Sequence, residues 1–165
     1  MSAPVHSTFS SSASAEQVFA VLTSPEWVQT KADRFKDGSV LKEHEQRPDG
    51  GVLLTVSREL PAGVPGFLER FLPADGRVLE TFDWGPPAAN GARHGVWKAD
   101  IPGAPARLGG TLRLDPTEVG SAYTIEGEVK VKVPLIGGKA ESFIADMVGK
   151  LAAKEADLLR DTLRA

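Results

Sequence analysis

Apolar and polar positions alternate with a two-residue period through the middle of the chain, and recur near every 3.6 residues close to its two ends. Residues 5–10 alternate as a short strand. Ser14 and Gln17 stand at capping-box spacing ahead of Val18, Phe19, Val21 and Leu22, which predicts a helix. Ser24-Pro25, a cap followed by proline at the first helical position, predicts a second short helix carrying Trp27, Val28 and Phe35. From residue 38 to 133 the pattern is β. Segments 40–46 and 52–60 flank Pro48-Asp49-Gly50-Gly51 and predict a hairpin. Further strands are expected over 77–84, 95–101, 107–115 and 121–133, separated by Gly, Pro, Asn and Asp clusters. Segment 61–73 holds three prolines and two glycines among Val64, Phe67, Leu68, Phe71 and Leu72, and predicts an apolar loop or broken helix at a pocket mouth.

The last strand shows the cleanest alternation. Tyr123, Ile125, Val129, Val131 and Val133 share one parity, while Thr124, Glu126, Glu128, Lys130 and Lys132 take the other. One face is therefore expected to be buried and the other wet. Pro134 to Gly138 end the strand, and a helix of about 26 residues follows, with Ala140, Ile144, Met147, Val148, Leu151, Leu158 and Leu159 on one side. Lys139, Asp146, Lys150, Asp157 and Arg164 lie opposite.

One strand, two short helices, six strands and one long helix predict an α+β fold, a curved antiparallel sheet of six or seven strands around the C-terminal helix. A sheet with one wet face needs a cover for the other, and only the terminal helix is long enough. Twisted sheets of this size curl, and one helix fills only part of the concavity. An apolar cavity is expected there, on the order of a few hundred Å³.

Length and composition narrow the classes. At 165 residues the chain is expected to form a single domain over 1–165, large enough to bury a core. A formal net charge of -3 and a pI near 5.6 supply no basic field for nucleic acid or anionic lipid. No cysteine is present, so thiolate and disulfide chemistry are excluded. The first residues lack the charged and apolar regions of a signal peptide, and no apolar run approaches the roughly 18 residues of a membrane span. A cytoplasmic protein is expected.

Two blocks carry a family resemblance: Ala15-Glu16-Gln17-Val18-Phe19-Ala20-Val21-Leu22-Thr23 after the first strand, and Lys132-Val133-Pro134-Leu135-Ile136-Gly137-Gly138-Lys139-Ala140-Glu141 before the last helix. With the order of elements, they resemble the START-like superfamily (Bet v 1-like, polyketide cyclase and lipid transport), which has the helix-grip fold. The second block, with the region of Glu155, is similar to an actinobacterial branch, the domain of unknown function 2505. The likeness spans essentially the whole chain. It implies an apolar ligand and names no reaction.

Candidate chemistry is sparse. Phosphate-binding glycine motifs and a G-x-S-x-G elbow are absent. His6, His44 and His94 lie in no metal-binding pattern, so neither metal nor cofactor is expected. Glu155 falls near the middle of the last helix's apolar stripe, beside Ile144 and Leu151. An ionised carboxylate there loses hydration unless it is paired, protonated or faces a wet cavity. It is thus half of a buried ion pair, part of a helix that turns its end toward solvent, or a polar anchor inside the pocket. Strand parity puts Arg58 on the face of Val52, Leu54, Val56 and Leu60, and makes it the candidate partner of Glu155. A three-residue turn at Asp49-Gly50-Gly51 would place His44 opposite Val56, and Lys42 opposite Arg58, pointing His44 inward too. Trp84, Trp97 and Tyr123 offer large apolar bodies with a polar tip, suited to a cavity wall or to ordinary packing, as are Phe143 and Met147. Val56, Trp97, Tyr123, Ile125 and Met147 are expected to line the cavity.

Three functions fit. The first is binding or transport of a small hydrophobic molecule, such as a lipid, isoprenoid or polyketide. The second is a cyclase or dehydratase in which Glu155, Arg58 or His44 moves protons. The third is a ligand-free interaction domain using segment 61–73. Ligand identity and oligomeric state are not legible.

Overall fold

The structure, a computed structural model, describes residues 2–74 and 76–164. Strand β1 (Ala3–Ser11) leads to helix α1 (Ala15–Leu22), whose capping box is closed on both sides: Gln17 N donates to Ser14 Oγ, and Ser14 N donates to Gln17 Oε1. Helix α2 (Pro25–Phe35) starts with Trp27 N donating to Ser24 Oγ and proline in its first turn. There follow β2 (Val40–Gln46), β3 (Val52–Glu59), the short α3 (Gly66–Glu69), β4 (Arg77–Trp84), β5 (Arg93–Asp100), β6 (Ala106–Thr117), β7 (Gly120–Val131) and α4 (Gly137–Arg164).

All seven strands form one antiparallel sheet in the order β1-β7-β6-β5-β4-β3-β2. The first and second strands therefore lie at opposite edges, and α1 with α2 carries the chain from one edge to the other. Segment 61–73 is the expected broken helix, with α3 its helical remnant. The α+β, helix-grip expectation agrees with this architecture.

The sheet can bend and keep a Trp flat on its inner face because glycine faces glycine across two strands. Gly110 pairs with Gly127, and a Cβ on Gly127 would stand 2.8 Å from the Trp97 ring. Trp97 Nε1 donates to the Glu126 carbonyl at 3.0 Å, so its polar tip is satisfied while its body covers the strand.

Helix α4 packs on β1 and β7. Ala140 and Glu141 near its start and Leu158 and Leu159 near its end are buried, whereas Ile144, Met147, Val148 and Leu151 between them are only half-buried. A straight rod across a concave sheet is tight at its ends and leaves space beneath its middle. Glu141 secures the first contact by accepting from Val131 N at 2.9 Å, tying the end of β7 to the helix.

Two expectations about the sheet are corrected. The β2–β3 turn is the three residues Pro48-Asp49-Gly50, one residue earlier than expected: Arg47 N donates to Gly51 O and Gly50 N to Arg47 O, Gly50 takes a φ of 94°, and a bulge interrupts β2 between Leu41 and Glu43. His44 thus faces Leu54 rather than Val56, and Leu41 takes the place opposite Val56. Thr124, assigned to the wet face, is buried, flanked by Thr8 on β1 and Arg113 on β6.

Candidate functional site

Two cavities lie between the sheet and α4. The larger is about 140 Å³, and its walls come from α3 and its flanking segment, from β3 to β7, and from the middle of α4. It is lined by Arg58, Trp97, Ile125, Phe143, Met147 and Glu155 together with many aliphatic residues. The smaller, about 60 Å³, is lined by Val56, Trp84, Tyr123, Ile125 and Glu155, with Lys31 and Trp27 from α2. Among the described residues, four border both spaces: Phe82, Ile125, Ala152 and Glu155. The expected cavity is therefore divided in two at these residues, and is smaller than expected. A void of roughly 150 Å³ accepts benzene, whereas drug-sized ligands occupy roughly 300–1,000 Å³.

Nine of the ten sequence-predicted site residues border one or both cavities. His44 borders neither. Its Nε2 donates to the Thr23 carbonyl at 2.9 Å, fastening β2 to the α1–α2 junction. The register change described above is the reason.

Glu155 is not paired with Arg58. Its carboxylate stands 3.6 Å from Lys31 Nζ, and the Lys31 side chain is only 9% exposed. That ammonium also lies over the rings of Trp27 and Phe82, at 5.6 and 5.7 Å from their centroids. Arg58 instead donates through Nε to Glu80 Oε1 at 3.0 Å, with both side chains largely buried. The site thus holds two cations and two carboxylates in matched pairs. Burial pushes the Glu155 carboxyl above its ordinary value; Lys31 opposes the shift, Glu80 adds to it and Arg58 opposes it. Tyr123 is held far above the usual phenol range, first by burial and then by the carboxylates of Glu155 and Glu80, so it remains a neutral hydroxyl.

The aromatic residues divide between packing and lining. Trp84 is 1% exposed, edge-on to Phe19 at 5.5 Å and tilted to Tyr123 at 6.0 Å, so it is core that also borders the smaller cavity. Trp97 covers the floor of the larger one.

Lys31 and Glu80 escaped sequence reading, although each left a signal. Lys31 is four residues from both Trp27 and Phe35, inside the apolar stripe of its helix, and Glu80 shares strand parity with Val78, Phe82 and Trp84.

The raised Glu155 value fixes the sign of a pH effect. The folded chain holds this proton more tightly than the unfolded chain, whose carboxyl titrates near 4.5. The stability it contributes is full below that pH and is lost as pH rises through the folded value. Lys31, Glu80, Arg58 and Tyr123 all face the group. Thermal unfolding between about pH 5 and pH 8 is expected to show the melting temperature of the parent falling relative to that of Glu155→Gln. A difference independent of pH would refute the shift.

A long helix gripped by a seven-stranded curved sheet, with an apolar cavity between them, defines the helix-grip fold. The chain belongs to the family described as protein of unknown function (DUF2505), which it matches over residues 6–163. An uncharacterized protein of Mycobacterium tuberculosis is 30% identical over 115 residues, covering 65% of this chain and 63% of that protein. The chain thus matches less than two thirds of that relative's length. Among solved structures, a STAR-related lipid transfer protein from Xanthomonas axonopodis superposes with a TM-score of 0.59 at 16% identity, covering 97% of this chain and 84% of that one. The Zhui aromatase/cyclase of Streptomyces sp. R1128 gives 0.56 at 14%, covering 99% and 94%. Identities this low establish the fold alone. No helix among the described residues is long and apolar enough to cross a membrane.

Proposed function

We propose that the chain is a single START-like ligand-binding domain that holds a small hydrophobic molecule between the sheet and α4. The observation that supports this most is the larger cavity, whose wall is apolar except where Arg58, Glu80 and Glu155 meet. A void enclosed by half-buried aliphatic side chains at the middle of a helix whose ends are tightly packed is costly unless something fills it. Likeness to a lipid transfer protein and to an aromatase/cyclase is in keeping with such a ligand.

Native mass spectrometry of the protein purified from its own source is expected to give the 17.5 kDa chain carrying a small-molecule adduct. Val148→Phe places a ring in the void and is expected to abolish the adduct while the chain still unfolds cooperatively. Loss of stability without an adduct in either protein would sink the reading.

A second reading, a cyclase- or dehydratase-type enzyme in the same cavity, is favoured by one observation. Glu155 and Lys31 form an acid–base pair with surface on the smaller cavity. His44, outside both cavities, has no part in it.

A further inference from the structure

We infer that the two cavities are two arms of one site, and that its ligand is a neutral molecule bearing a hydrogen-bonding hydroxyl beside an apolar ring, not an organic anion. The inference deepens the ligand-binding reading above and rests on it.

The partition carries the first step. Of its four residues, Ile125 is fixed on the sheet and Ala152 is too small to block a passage, which leaves Phe82 and Glu155 as the side chains whose rotation joins the spaces. Glu155 borders both cavities, and its side chain is 30% exposed. Its nearest charged neighbour is at 3.6 Å, outside hydrogen-bond reach. Its oxygens are accessible rather than buried and make no hydrogen bond among the described residues, so the carboxyl group can accept from a donor that enters the cavities. A hydroxyl at the partition supplies that donor, and protonated or ionised, Glu155 retains an oxygen that accepts.

The charge count carries the second step. Arg58 is engaged by Glu80 at 3.0 Å, and Lys31 faces Glu155. No unmatched cation lines either cavity among the described residues. An anion entering the site would lose its hydration and meet two carboxylates, while a neutral hydroxyl pays far less. Size carries the third, because the larger arm matches one benzene-sized ring and the smaller takes only a short substituent.

Three probes separate these ideas by calorimetry near neutral pH, with the polar group beside the chain that enters the smaller arm: ortho-butylphenol, butylbenzene and ortho-butylbenzoate. The phenol is expected to bind about tenfold or more tightly than the benzoate, and Glu155→Leu to lose about tenfold of phenol affinity while butylbenzene changes less than about twofold. Glu155→Gln keeps an acceptor and is expected to hold the phenol within a few-fold of the parent. Where Glu155→Leu fails to fold, Lys31→Met/Glu155→Leu removes the same acceptor without stranding the ammonium, and the same loss is expected. Benzoate binding as tightly as phenol, or phenol binding indifferent to loss of the carboxyl, overturns the inference and leaves the ligand-binding reading standing if butylbenzene binds. Failure of all three probes to bind overturns both.

Discussion

Glu155→Leu is expected to cost about 3–5 kcal/mol of stability, because it leaves the Lys31 ammonium buried without its countercharge. Trp27 and Phe82 offset a part of this, since a cation over an aromatic face gains roughly 0.5–2 kcal/mol. The reciprocal change, Lys31→Met, is expected to cost less. Glu155 then loses its cation, but it has surface on two cavities and already binds its proton more tightly than a free carboxyl, so it survives as a neutral acid. Lys31→Met combined with Glu155→Leu should recover most of the loss, since two apolar side chains avoid the desolvation of both charges. Urea-unfolding midpoints of the parent, both single variants and the double variant close the cycle. A double variant no more stable than Glu155→Leu would show that the pair does not govern stability here. A Lys31→Met variant worse than Glu155→Leu would show that Glu155 cannot shed its charge into the cavity.

The pairing at issue in that cycle was only half legible in the sequence. The element order, the gripped helix and the inward face of β3 follow from periodicity, and periodicity is a local property that the sheet preserves: Val52, Leu54, Val56 and Arg58 do face the cavity side as their parity requires. Glu155 on the apolar stripe was legible for the same reason. Which cation meets it was not, because that depends on how α2 crosses the sheet, and no local pattern records a contact between residues 31 and 155. The reading of His44 failed through register. A turn placed one residue earlier slides β2 along β3 by two residues, so the side chain keeps its face but exchanges the cavity for the end of α1. Cavity size was illegible as well, since the division where Phe82, Ile125, Ala152 and Glu155 come together joins distant parts of the chain and is not recorded in any local pattern.

The matched charges make selectivity itself open to redesign. Glu80→Gln removes one carboxylate from a cluster of two cations and two carboxylates, and keeps the side chain's length and an acceptor for Arg58. Glu155 is the carboxylate left to share between Arg58 and Lys31, and wherever it settles one positive charge remains in excess. A guanidinium in an apolar cavity binds a carboxylate through paired, charge-assisted hydrogen bonds. Ortho-butylbenzoate is therefore expected to bind the Glu80→Gln protein about tenfold or more tightly than the parent, inverting the preference for the phenol. The variant without ligand should melt below the parent, because its excess charge is buried, and saturating benzoate should return much of that loss by mass action. Calorimetry for affinity and thermal unfolding with and without benzoate read the two effects separately. A Glu80→Gln protein that rejects benzoate as the parent does would mean that Arg58 never faces the ligand, and that the larger cavity's selectivity is set by its shape alone.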